Sequence, residues 1–429
     1  MNAITRRHFV RIVGAAGVAT TALGWPSLVR AKNAGGQVVI IGGGFGGASC
    51  AKYLRRLSTD IKVTLIERDA EFTTCPFSNA VLGGLYDMDF ITHGYDALRD
   101  KYGVDIVQDE AIDIDAGANS VYLARGAKLK YDRLVVSPGI DFRWERIDGY
   151  DDEASKTMPH AWKAGAQTKI LRNQLEAMPD GGVVIIAPPG NPFRCPPGPY
   201  ERASLIAHYL KHHKPRSKIL IFDAKPKFSK QGLFEQGWQA LYPGMIEWIS
   251  EEDGGAIEAV DASSMTVVPT FGEPHRGDVV NIIPPQKAGA IAHTAGLTDD
   301  SGWCPVDQRS FESTLHKDVH VIGDASIAAP MPKSGYAASS QGKVCATAIA
   351  ASLSGEEMPN PSYVNTCYSL VGPDYGISVA AVYRHGEDGI AAVAGAGGLS
   401  PADADPAFRV AESRYAVGWY QSITSDIWG

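Results

Sequence analysis

Six cysteines dominate the reactive side chains: Cys50, Cys75, Cys195, Cys304, Cys345 and Cys367. None forms Cys-x-x-Cys, and no Cys/His cluster has zinc spacing, so no metal site is expected. The Cys-x-x-Cys-His signature is also missing, so any haem must come from a partner. Thiol–disulfide and nucleophilic chemistry remain. Cys195 stands in a loop crowded with prolines, Pro188-Pro189-Gly190-Asn191-Pro192-Phe193-Arg194-Cys195-Pro196-Pro197-Gly198-Pro199, and Glu201 follows six residues later near the start of a helix. Glu201 suits acid/base work on thiol protons if burial raises its pKa; alternatively it is a helix-start carboxylate favoured by the dipole.

A second kind of chemistry, dinucleotide binding, is written in glycines. The apolar run Gln37–Ile41 leads into Gly42-Gly43-Gly44-Phe45-Gly46-Gly47, then a helical pattern over 48–57, then a second apolar run, 62–66, ending at Glu67. In this context Gly42 permits the tight turn, Gly44 lets backbone N–H groups approach a pyrophosphate and Gly47 brings helix close to strand. Glu67 can accept hydrogen bonds from a ribose. Two further segments point to FAD rather than a loosely held nicotinamide. Tyr131–Gly139, with Pro138 and Gly139 at its turn, resembles the segment that closes a flavoprotein nucleotide domain. Val319–Ala325 resembles the strand ending in Gly323-Asp324, where the carboxylate holds the ribityl and pyrophosphate region; a plain turn aspartate is the alternative. The helix after Pro332-Lys333-Ser334-Gly335-Tyr336 would aim its N-terminus at the flavin ring.

Between these halves lies another strand–helix–strand pattern: Gly181–Ala187, a helix over 204–211, and Lys218–Asp223. Its first turn is the proline loop, and prolines lack the N–H groups that would cradle a pyrophosphate, so nicotinamide binding is not expected. Near the C-terminus an acidic, Gly-rich linker over 391–405 precedes an aromatic segment, 414–429, which fits either a protein interface or core packing.

The chain has 429 residues, 45% hydrophobic and 21% charged, enough for two or three domains with substantial cores. Its 46 glycines and 26 prolines suit a loop-rich α/β protein. Net charge is −8, and the first 33 residues hold five positive side chains and no negative one, so a nucleic-acid surface is not expected. Those residues, with Arg6-Arg7, a weakly apolar stretch and Val29-Arg30-Ala31, read as a cleaved twin-arginine export signal over 1–33 and not as a membrane span. A bacterial periplasm follows, where disulfides persist.

Several further segments carry a family resemblance: Thr74–Asn79, Pro159–Gly165, Arg194–Glu201, Gly302–Asp307, Met331–Tyr336 and Asn365–Ser369. Together they resemble flavocytochrome c sulfide dehydrogenase flavoproteins, sulfide-oxidising members of the disulfide-reductase type. The resemblance implies an α/β fold with two Rossmann-like dinucleotide-binding domains and a C-terminal α+β interface region. It implies an FAD domain from 34–150 and 285–355, a nicotinamide-domain-like unit without a nicotinamide site over 151–284, and a C-terminal domain over 356–429. It also implies that Cys195 and Cys367 form a redox-active disulfide, that Cys75 bonds FAD through its 8α-methyl, and that a c-type cytochrome subunit completes a heterodimer. Hydrosulfide would attack one sulfur of the disulfide, leaving a persulfide and freeing a thiolate that passes two electrons to the flavin. Cys50 and Cys345 would be buried core thiols. Cys304 stays unassigned, and Ser326 stands where relatives often carry a further cysteine. The rival readings are a membrane sulfide:quinone oxidoreductase and a non-catalytic flavin electron-transfer subunit; the polar residues between Arg414 and Asp426 argue against the first.

Overall fold

The computed structural model describes residues 35–429, so the expected export signal lies outside it. Strand β1 (Gly36–Ile41), helix α1 (Phe45–Leu57), β2 (Ile61–Glu67), β3 (Asp105–Gln108) and β4 (Arg133–Val136) open the fold. A second unit follows with β5 (Val183–Ala187), α2 (Gly198–His213), β6 (Lys218–Phe222), β7 (Ile246–Ile249) and β8 (Val279–Ile282). Then come β9 (Val319–Val321), α3 (Gly335–Ser354), three long strands β10 (Ser362–Gly372), β11 (Tyr375–Gly386) and β12 (Gly389–Leu399), and the terminal helix α4 (Pro406–Trp428).

The first sheet is parallel, in the order β9-β4-β1-β2-β3, and the second is parallel, β7-β6-β5-β8. Both faces of such sheets are covered, which explains why Val38, Val39 and Ile40 are fully buried in succession. The third sheet, β10-β11-β12, is antiparallel. A short ribbon, Ile140–Phe142 against Gln286–Ala288, ties together the two crossings between the parallel sheets. The architecture is thus two parallel, nucleotide-binding-type α/β units and a C-terminal antiparallel layer.

Two expectations change. The stretch read as a linker from 391 is strand β12 as far as Leu399, its small residues paired with β11, as Tyr383 with Ala392. The helix expected over 204–211 begins at Gly198, because Pro199 is tolerated in a first turn whose N–H groups need no helical partner. The terminal aromatic segment is divided. Tyr420, Ile427 and Trp428 are buried, and Trp428 Nε1 donates to Gly43 O, whereas Tyr415 is exposed. Helix α4 is capped by Asp405, whose side chain accepts from Phe408 N, and its far end is held by Lys52 Nζ donating to Gly429 O and by the Lys343–Asp426 ion pair.

The glycine turn is sterically compelled. Gly42 has φ +95°, and a Cβ on Gly47 would sit 1.9 Å from Gly42 O. Gly47→Ala is therefore expected to cost about 1–3 kcal/mol, the usual toll of overpacking, and to loosen FAD. The same change at exposed, helical Gly418, with nothing within 4 Å of its Cβ position, should be neutral or stabilising by up to about 1 kcal/mol. Thermal melts of both variants check the opposite signs.

Candidate active site

Chain segments from both parallel units and the antiparallel sheet converge on a cavity of about 70 Å³. Its wall includes Cys75, Cys195, Glu201, Gly335, Tyr336 and Cys367, six of the residues singled out by sequence. Cys195 adopts a left-handed backbone, φ 57°, just ahead of α2; its N–H donates to Lys333 O and its carbonyl accepts from Gly198 N. Cys367 sits in mid-strand on β10. The two side chains are in hydrogen-bonding contact, both as free thiols, so the expected disulfide appears here as a juxtaposed dithiol. Cys367 is held below the ordinary thiol value, first by the bond from Cys195 and further by Lys230, against burial. Cys195 is pushed up by the Cys367 contact, by burial and by Glu201.

Glu201 stands in the first turn of α2. Its Oε2 accepts from Asn79 Nδ2 at 2.8 Å and its Oε1 from Leu370 N at 2.8 Å. Burial raises its pKa, opposed by those two hydrogen bonds and by Lys230 and Arg202. Asn79 also accepts from Arg202 Nε, so one amide orients a carboxylate and a guanidinium together. Arg202 is 1% exposed, bonded to His160 O, Ala161 O and Asn281 Oδ1, and faces the Trp162 ring at 4.9 Å. Burial lowers its pKa to about 10. Cys75 points its thiol at Trp162 O, 3.2 Å away.

The cofactor residues form a second group. Gly43 N donates to Glu67 Oε2 at 2.7 Å beside the glycine turn, and Gly42 packs against the chain just before Pro138 and Gly139. Gly323 donates to Gln341 Oε1, and Asp324 follows in the same turn. Asp324 Oδ2 lies 3.8 Å from Arg194 Nη1, while Lys333 donates to Asp324 O and Ser326 O and covers the Trp303 ring at 3.7 Å. Burial lowers the Lys333 pKa to about 8 and raises that of Asp324. Ser334 caps α3, accepting from Ala337 N, which leaves the helix start facing the cavity.

These residues fit FAD. Asp324 Oδ1, Arg194 Nε, Gln286 Nε2 and Trp162 Nε1 are buried without a protein partner, and Tyr95 OH near the glycine turn is the same. Orphaned polar atoms at both ends of the route from glycine turn to cysteine pair suit a ligand that brings its own hydrogen-bonding groups. The second unit has its own cleft of about 390 Å³ at the end of β5, lined by the proline loop together with Arg143 and Arg146.

Elsewhere, Cys50 and Cys345 are fully buried and in contact where α1 meets α3. Cys304 is also buried, its thiol pushed up to about 12 by burial, so it is unsuited to nucleophilic work. Among the described residues no group of three or more His, Cys, Asp or Glu side chains could hold a metal. Asn79, Trp162, Arg194, Arg202 and Lys230 escaped the sequence reading as site residues. Arg194 and Arg202 were findable as immediate neighbours of Cys195 and Glu201.

Comparison with known proteins places the chain in a family. Residues 168–284 match the model for the central domain of the sulfide dehydrogenase [flavocytochrome c] flavoprotein chain. Residues 359–428 match its flavin-binding domain, and 36–177 match pyridine nucleotide-disulphide oxidoreductases. The sulfide-quinone reductase of Aquifex aeolicus is 25% identical over 311 residues, 69% of this chain and 70% of that protein. The crystal structure of sulfide:quinone oxidoreductase from the same organism superposes with TM-score 0.70 at 21% identity, covering 91% of this chain and 92% of that one. The sulfide dehydrogenase [flavocytochrome c] flavoprotein chain of Chlorobaculum thiosulfatiphilum is 67% identical over 45 residues, 10% of this chain and 94% of that sequence. These matches make the protein a sulfide-oxidising flavoprotein oxidoreductase with a flavin-binding domain, and the chain belongs to the family of flavocytochrome c sulfide dehydrogenase flavoproteins.

Proposed function

We propose that this chain is the catalytic flavoprotein subunit of a periplasmic sulfide dehydrogenase. It oxidises hydrosulfide to sulfur or polysulfide at Cys195 and Cys367, holds FAD covalently through Cys75, and delivers electrons to a c-type cytochrome subunit in a heterodimer. The observation that carries this reading is the meeting of Cys195 and Cys367 in one cavity with Cys75 and Glu201 in its wall.

In the oxidised pair the S–S bond is the electrophile. Hydrosulfide attacks one sulfur, a new S–S bond forms, the old one breaks, and the other cysteine departs as a thiolate holding the electron pair. Glu201, with one hydrogen bond to each carboxylate oxygen, keeps free lone pairs for the persulfide proton, and Asn79 fixes its orientation. FAD, when bound, takes up an electron pair and releases single electrons, which a haem acceptor requires. Asp324, Lys333 and the start of α3 would hold it, with Glu67 and the glycine turn at its adenosine end.

A soluble acceptor is supported by the terminal helix, whose exposed residues Arg414, Gln421, Ser422 and Ser425 offer water a polar face. No helix among the described residues is long and apolar enough to cross a membrane. Export through the twin-arginine signal would also allow the cysteine pair to stay oxidised.

Three outcomes are expected. In anaerobic cuvettes sulfide bleaches the flavin while NADH and NADPH do not, and the reduced protein transfers electrons faster to a c-type cytochrome than to a short-chain quinone. Rapid bleaching by a nicotinamide, or a preference for quinone, would overturn the assignment. Acid precipitation leaves the yellow colour in the protein pellet, and Cys75→Ala moves it to the supernatant; release from the wild type would refute the covalent bond. Glu201→Gln slows sulfide-dependent flavin reduction by about 10²–10⁴-fold, the range for loss of a general base. Because burial raises the Glu201 pKa, the wild-type rate should fall as pH drops through a value above the ordinary carboxylate range. The variant should lack that limb in a kcat/KM profile against pH.

A further inference from the structure

We propose that Lys230 is a positioning residue that fixes the polarity of the Cys195–Cys367 pair, making Cys367 the sulfur that leaves and Cys195 the one that receives hydrosulfide. This rests on the sulfide-oxidising reading given above.

Lys230 lies outside every motif, immediately before the helix Gln231–Leu241, in a left-handed backbone conformation with φ 62°. Its side chain turns inward and is 6% exposed. The ammonium donates to Ser369 Oγ at 2.8 Å and reaches Cys367 O at 3.5 Å, so it lies on the strand face shared by the Ser369 and Cys367 side chains. Among the described residues no carboxylate forms an ion pair with it. A buried charge without a counter-ion is costly, and such groups persist where a compensating charge is nearby or arises in function.

The charges facing the pair do not cancel. Helix α2 supplies Glu201 and Arg202, whose charges offset one another across Asn79. The Glu412 carboxylate on α4 is already engaged by Arg409, Ser378 and Ser400. Arg194, beside Cys195, turns to Asp324, near which Lys333 also lies. Cys75 is the third thiol of the wall. Arg194 and Lys333 share the one carboxylate of Asp324, and Lys230 is the cation beside Cys367, which heads the groups that stabilise it electrostatically. The start of α2 favours charge on Cys195 instead, but it presents only about half a charge, and the full ammonium outweighs it.

The step balances. Hydrosulfide bonds to Cys195 Sγ, the Cys195–Cys367 bond breaks, Cys195 carries –S–SH, and Cys367 leaves as a thiolate paired with Lys230. Leaving-group thiols of lower pKa depart faster, so the lysine sets the direction of attack.

The test uses the holoprotein with its pair reduced by a phosphine and alkylated by iodoacetamide across a pH series, each cysteine being read by peptide mass spectrometry. In the wild type Cys367 should ionise at lower pH than Cys195; the reverse order would overturn the proposal without any variant. Lys230→Met should raise the Cys367 midpoint by about one pH unit, a roughly tenfold loss of thiolate below it, and Lys230→Arg should restore it. Lys230→Gln, which keeps a donor for Ser369, carries the same test if the methionine variant does not fold. An unchanged Cys367 midpoint in a folded neutral variant, or equal movement of both midpoints, would contradict the assignment. The readout needs no sulfide, so failure of sulfide to reduce the flavin would count against the sulfide reading alone.

Discussion

The contact between Cys195 and Cys367 is the constraint around which the fold is arranged. The two residues are about 170 positions apart, and closing so long a loop to thiol contact demands rigid elements on both sides. Cys195 is fixed from behind by Lys333 O and ahead by the start of α2. Cys367 is fixed by its place in the antiparallel sheet, opposite Val379. Glu201 joins the two supports, since it belongs to α2 and accepts from Leu370 of the same strand. A shift of either element would break that carboxylate bond along with the thiol contact.

Electrostatics then decides what the pair can do. Burial alone would silence both thiols, as it does Cys304 and Cys345. At the active pair, Lys230 beside β10 opposes burial at Cys367. The same low-dielectric surroundings raise the Glu201 pKa above the ordinary carboxylate value, against its hydrogen bonds from Leu370 and Asn79. Cys75 enters the same wall from the segment after β2, the strand that ends at Glu67 beside the glycine turn.

Legibility in the sequence followed chain distance. The glycine turn, Glu67 and the strand–helix–strand order were readable because each acts within some thirty residues and steric demands leave few residue types at Gly42 and Gly47. The proline loop announced Cys195, and family resemblance supplied Cys367 and Cys75. Asn79, Arg202 and Lys230 were hidden, because polar residues of these types usually face solvent and only the fold shows them buried against distant partners. Strand β12 was hidden for another reason. Its alanines and glycines carry little β-propensity, and pairing with β11 settles its conformation. The prolines before Gly198 likewise masked the first turn of α2, which is the turn that presents Glu201.

The most direct measurement of the central claim is mass mapping of the cysteines in protein isolated under oxidising conditions, before and after one equivalent of sulfide without an electron acceptor. A Cys195–Cys367 cross-link before, gaining the mass of one sulfur within that pair afterwards, is the predicted result: a persulfide and a thiol while the flavin stays oxidised, and a bridging trisulfide once the pair has given two electrons to it. Finding both cysteines as free thiols at the outset, and no sulfur added to either in protein whose flavin sulfide has reduced, would contradict it.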